Sequence, residues 1–193
     1  VNDGSRDNTE RILEELSAND DRLTVISLSR CFGKEAAMMA GFSKATGDVS
    51  IPIDVDLQDP IELVPEMIRH WEKGYSVVLA KRSDRSEDSW LKRTSASLFY
   101  SIYNAISPLK IELNVGDYRL LDKQVVQALL TLPERQLFMK GLFTWLGFPT
   151  YVVEYTRQKR IAGKSKFNGW KLWNFALDGI TSFSYLPLQL ATY

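Results

Sequence analysis

Asp54 and Asp56 stand one residue apart in Asp54-Val55-Asp56-Leu57-Gln58-Asp59-Pro60, just where an apolar, β-branched stretch runs out. In an extended strand two such side chains share a face and repel each other, so the pair calls for a positive partner. A divalent cation supplies one. Mg²⁺ or Mn²⁺ takes carboxylate and amide oxygens and is usually completed by substrate phosphates, which makes Gln58 a further ligand. The competing reading is an acidic turn that caps the next helix; it accounts for Asp59 before Pro60 but leaves the pair unexplained. Spacing alone keeps both open.

Lys34 follows Gly33 at the start of a helical pattern, so its ammonium and the unpaired N–H groups of a helix start could face an anion. The plainer alternative is a solvated first-turn lysine. Arg82 ends a strand pattern, while Arg119, Arg157, Arg160 and Lys166 come from the more basic part of the chain. Each taken singly reads as a surface residue; together they suit a doubly charged phosphate.

The chain has 193 residues, 45% hydrophobic and 25% charged, enough for a globular domain with a core. Its 24 basic and 24 acidic side chains cancel, which removes the bulk electrostatic case for nucleic acid. Acidic residues dominate the first third and basic residues the last, as expected of a site that handles a cation and an anion. The single Cys31 excludes an internal disulfide and points to a reducing compartment. With His70 as the only histidine, neither a Cys/His zinc site nor a histidine-based hydrolase has its parts. His70 itself reads as part of an exposed helix end. No signal peptide opens the chain and no run of eighteen apolar residues occurs, yet both ends look cut.

The elements that must position these residues alternate. Helical spacing covers 9–16, 34–45 and 61–73, and β-branched strands fall at 23–28, 48–53 and 75–80. Such alternation predicts an α/β fold with a mostly parallel sheet flanked by helices and ligands beyond the strands' carboxyl ends, where the acidic run sits. Further on, 89–107 reads as a long amphipathic helix, core-facing or lying on a bilayer. An extended piece around 117–121, helices over 123–131 and 137–146, a strand over 150–155 and a basic loop over 157–166 complete the pattern.

The acidic run, together with Val1-Asn2-Asp3-Gly4-Ser5-Arg6-Asp7-Asn8-Thr9, resembles the family 2 glycosyltransferases. The similarity is greatest to the polyprenyl-phosphate sugar transferases, the dolichol-phosphate mannosyltransferase and bactoprenol glucosyltransferase groups. Ser29-Arg30-Cys31-Phe32-Gly33-Lys34-Glu35, Gly116-Asp117-Tyr118-Arg119-Leu120-Leu121-Asp122 and Arg160-Ile161-Ala162-Gly163-Lys164-Ser165-Lys166-Phe167 extend it in the same order. Five motifs from residue 1 to residue 167 are far more specific than a lone Asp-x-Asp.

The resemblance implies a GT-A (Rossmann-like) domain over 1–167, lacking its first strand and helix. Residues 168–193 would be a juxtamembrane helix and the start of a truncated transmembrane region at the cytoplasmic face of the inner membrane. It implies a nucleotide-sugar donor, UDP-glucose before GDP-mannose, and a polyprenyl phosphate acceptor. Asp3, Ser5, Lys34 and Asp54 would bind the nucleotide sugar, and Asp54, Asp56 and Gln58 the metal. Arg82, Arg119, Arg157, Arg160, Ser165 and Lys166 would cradle the acceptor phosphate. Asp117, Arg82, Arg119 and Arg160 would serve the inverting displacement, in which an ionised phosphate needs positioning and charge neutralisation more than a strong base. Membrane contact would run through carboxyl-terminal helices and the 89–107 helix, and a homo-oligomer is compatible with all of this. Two alternatives stay open: a glycan hydroxyl acceptor with Asp117 as base, and a non-catalytic nucleotide-binding or scaffolding module.

Overall fold

The computed structural model describes residues 1–56, 58–83, 115–134 and 138–156, and the chain divides into two compact units, Val1–Asp48 and Val49–Tyr193. In the first unit Asn2 forms a parallel bridge with Ser27: its N–H donates to the Ile26 carbonyl at 2.8 Å, and its carbonyl accepts from Leu28 at 2.9 Å. Helix α1 (Thr9–Asn19) carries Ile12 and Leu16 at helical spacing but buries none of its residues. Helix α2 (Lys34–Lys44) begins after Gly33, whose φ of 103° is a conformation that favours glycine, and it buries Phe42. Gly4, at φ 63°, lies so close to the next loop that a Cβ would meet the Arg30 carbonyl carbon at 2.4 Å.

The second unit is a four-stranded sheet of β1 (Val49–Ser50), β2 (Val77–Arg82), β3 (Val115–Asp122) and β4 (Thr150–Tyr155), in the order β1-β3-β2-β4. β2 pairs with β4 in parallel, and β3 pairs antiparallel with both β1 and β2. Three strands therefore run one way and β3 the other. Between Leu79↔Arg119 and Lys81↔Val115 the register slips, so β3 spends four residues where β2 spends two. A 3₁₀ turn (Ile61–Leu63) leads into α3 (Val64–Glu72), which has Pro65 in its first turn, where a missing N–H costs nothing. Helices α4 (Lys123–Leu130) and α5 (Met139–Leu146) follow β3. Asp122 joins three elements: one carboxylate oxygen accepts from the Gln124 N–H at 2.7 Å to cap α4, the other from the Trp71 indole at 2.6 Å.

One sheet face packs Val78, Ala80, Tyr118, Leu120, Val153 and Tyr155 against Leu63 and Met67. Val77, Leu79, Arg119 and Val152 alternate onto the other face.

The expected α/β class holds, with three local differences. Among the described residues, 23–28 pair at one bridge, Asn2 with Ser27, rather than as a strand. β1 stops at Ser50, two residues before Pro52, which has no N–H to continue a ladder. His70 is half-buried rather than exposed: its ring stacks on Tyr151 with centroids 3.7 Å apart, and its Nδ1 is buried without a partner. The boundary expected at 167/168, the 89–107 helix and the 157–166 loop lie outside the described residues. No described helix is long and apolar enough to cross a membrane.

Candidate active site at the carboxyl rim of the sheet

Asp54 and Asp56 follow β1 off any strand, Asp54 just before a turn and Asp56 within it. Both are half-buried, while Val55 between them is 97% exposed, so the turn sends its apolar residue outward. Asp56 accepts from the Gln58 N–H at 3.2 Å, an Asx-type contact that shapes the turn. Gln58 is 8% exposed, and its Oε1 is buried with no hydrogen-bond donor. A buried amide oxygen without a donor is costly, and a cation is one group that would satisfy it. Two carboxylates and one hard amide oxygen fit Mg²⁺ or Mn²⁺ better than a soft metal. No cluster of three or more His, Cys, Asp or Glu that could hold a metal exists among the described residues.

Asp59 does not cap the 3₁₀ turn, as its place before Pro60 had suggested; that turn has no side-chain cap. Its carboxylate is buried and accepts from the Tyr155 hydroxyl at 3.1 Å. Tyr155 is the register partner of Arg82 across the parallel β2–β4 pairing, and Arg82 Nε is buried without an acceptor. Next to it, the Tyr118 hydroxyl donates to the Pro60 carbonyl at 2.7 Å. Burial, followed by the charge of Asp59, pushes Tyr118 up to about 12, and burial also raises Tyr155, so both phenols keep their protons. These tyrosines tether the acidic run to the middle of β3 and the end of β4, a role that sequence reasoning missed. The available signal was a hydroxyl-bearing aromatic as the last residue of the strand pattern at 150–155.

The rim thus gathers Gln58, Asp59, Arg82 and the start of β3, because the reversed β3 brings Gly116 and Asp117 to the end where β2 and β4 finish. Arg82 Nη2 lies 3.7 Å from where a Gly116 Cβ would sit. Arg119 is not part of this gathering. It lies on the opposite face, 3% exposed, donating from Nη2 to the Gly116 carbonyl at 2.6 Å with its guanidinium 4.4 Å from the Phe143 ring centroid. Arg157, Arg160, Ser165 and Lys166 lie outside the described residues.

In the first unit Asp3 does a structural task. Its carboxylate accepts from the Phe32 N–H at 2.7 Å, the Gly33 N–H at 2.9 Å and the Cys31 thiol at 3.2 Å. The Phe32 bond chiefly holds its pKa below the ordinary 3.8. Asp3 therefore holds the Phe32 and Gly33 N–H groups just ahead of α2 and shapes the loop that presents Lys34. Ser5 is exposed, and its N–H donates to buried Asn2 Oδ1 at 3.0 Å.

The chain is similar to known proteins along its whole length. The sequence profile of glycosyl transferase family 2 matches residues 1–130. Bactoprenol glucosyl transferase of Shigella phage SfX is 57% identical over all 193 residues, and the prophage bactoprenol glucosyl transferase homolog of Escherichia coli K12 is 56% identical. The chain spans 63% of the length of each. Among solved structures, glucosyl-3-phosphoglycerate synthase of Mycobacterium tuberculosis superposes with a TM-score of 0.51 at 17% identity, over 93% of this chain and 66% of that one. That likeness establishes the GT-A fold expected from the motifs. With a profile match across two thirds of its residues and motifs in the family's order, the chain belongs to glycosyl transferase family 2.

Proposed function

We propose that this chain is the catalytic domain of a transferase that moves a hexose from a nucleotide sugar to polyprenyl phosphate with inversion, UDP-glucose being the preferred donor. The observation that carries the reading is Tyr155, whose hydroxyl donates to Asp59 of the acidic run and whose register partner is Arg82 at the end of β2. It puts a candidate cation-binding segment and a guanidinium, far apart in sequence, on one rim. The relatives named bactoprenol glucosyl transferase support the acceptor and the sugar.

Asp54, Asp56 and Gln58 would hold Mg²⁺ or Mn²⁺, which would neutralise charge on the departing nucleoside diphosphate. Asp3 keeps the Cys31–Gly33 loop in shape for the nucleotide side of the donor, with Lys34 as its cation. Arg82 is assigned to the acceptor phosphate; its buried Nε is a donor awaiting an oxygen. A lipid phosphate is already ionised, so the attacking oxygen needs no proton removed, and a domain with one histidine suffices. Membrane attachment at the cytoplasmic face of the inner membrane follows from a lipid acceptor.

The test uses the full-length protein in membranes with labelled nucleotide sugars and polyprenyl phosphate. Transfer should require Mg²⁺ or Mn²⁺, and Asp54→Asn should lower it about 10²–10³-fold. Arg82→Ala should raise the KM for the lipid phosphate more than it lowers kcat. Transfer that ignores the metal would overturn the metal assignment. Transfer to a glycan hydroxyl, abolished by Asp117→Asn, would replace the acceptor.

A further inference from the structure

On the face of the sheet away from the rim tyrosines, α5 leaves a cavity of about 250 Å³. Among the described residues its wall is mostly apolar, with Val77, Leu79, Val152 and Phe143 prominent, and it contains two cations, Arg119 and Lys140. Arg119 is the unusual feature. Among the described residues, a guanidinium 97% removed from solvent has one hydrogen-bond acceptor, the Gly116 oxygen, one ring face, Phe143, and the charge of Asp117 near it. Its Nε is buried with no acceptor. Burial pushes its pKa down to about 10 against an upward pull from Asp117, so it stays charged at neutral pH. A buried cation with an unused donor is costly unless an anion meets it.

We propose that this cavity is a binding site for a small organic carboxylate with an apolar body, its carboxylate on Arg119 and its body against Val77, Leu79, Val152 and Phe143. The guanidinium fork matches a planar carboxylate. The apolar wall argues against a bare inorganic ion, which would leave that wall facing water. Size narrows the class: an apolar cavity of about 150 Å³ takes benzene. At 250 Å³ a substituted ring or short chain of about ten heavy atoms fits. The site lies on the other face from Arg82 and does not depend on the sugar-transfer reading.

The test titrates 4-ethylbenzoate into the full chain by calorimetry, with 4-ethylbenzamide and acetate as probes that lack the charge or the body. 4-Ethylbenzoate should bind with a Kd of about 1 mM or tighter, and each comparison probe at least about tenfold more weakly. Arg119→Gln should remove the preference for the acid over the amide. Should that variant fail to fold, Thr144→Phe fills the cavity from a half-buried helical position while leaving the charge, and it should abolish binding of the acid. Equal binding of acid and amide, binding unaffected by Thr144→Phe, or no saturable binding of 4-ethylbenzoate would each overturn the proposal.

Discussion

The two faces of the sheet use their polar groups in opposite ways. Toward α3 the strands present Tyr118 and Tyr155, whose rings sit edge to face at 6.0 Å within the core while their hydroxyls reach Pro60 and Asp59. Toward α5 the strands present Arg119 beside open volume, with its Nε unsatisfied. Tyr118 and Arg119 are neighbours in β3, so strand position does not separate them: the phenol reaches the Pro60 carbonyl, while the guanidinium Nε on the other face meets no acceptor. The contrast separates a face that is finished from one that is incomplete without a ligand.

Truncating a side chain on each face should expose the contrast most strongly. Met67 is wholly buried against the α3 face, so Met67→Ala should cost about 2–5 kcal/mol by denaturant unfolding. Val152→Ala, beside space that already exists, should cost about 1 kcal/mol, and a larger loss there than at Met67 would erase the distinction. Next in size, Tyr155→Phe keeps the ring and deprives buried Asp59 of a donor. Its expected cost is about 1–3 kcal/mol, with a raised metal requirement for transfer that Tyr118→Phe should show less strongly. The smallest effect is a difference of sign above pH 10. Tyr118 has its folded pKa raised to about 12, so its contribution is fully present below 10 and is lost as pH rises toward 12. Arg119 has its folded pKa lowered to about 10, so the penalty of its buried charge is relieved as pH rises from about 10 toward 12.5. Stability measured against pH should therefore fall less steeply in Tyr118→Phe and more steeply in Arg119→Gln than in the parent chain.

Local pattern made α2, α4, α5 and β4 legible, because each is long enough for its period to speak, and the acids at 54 and 56 were legible from residue type alone. Strand direction was not: nothing within residues 117–121 says that β3 runs against its neighbours, since pairing is decided by residues far away in sequence. Arg119 taken singly read as a surface residue, and the resemblance placed it by the acceptor phosphate; neither reading foresaw its burial. The stronger signal lay beside it, as Leu120 and Leu121 in succession mark a strand buried on both faces, which obliges Arg119 to be buried too. The resemblance gave Asp3 a place by the nucleotide; its bonds to Phe32 and Gly33, which span about thirty residues, were not legible because they depend on how the loop folds back.

The slipped register between β2 and β3 has a consequence for how this domain could change over time. Gly116 and Asp117 are surplus to the ladder, held where the backbone has left the repeat of the sheet. Residues outside the repeat are not bound by strand pairing. Excising that pair would splice β3 back into even step with β2, so this edge can gain or lose chain without redrawing the scaffold beneath it.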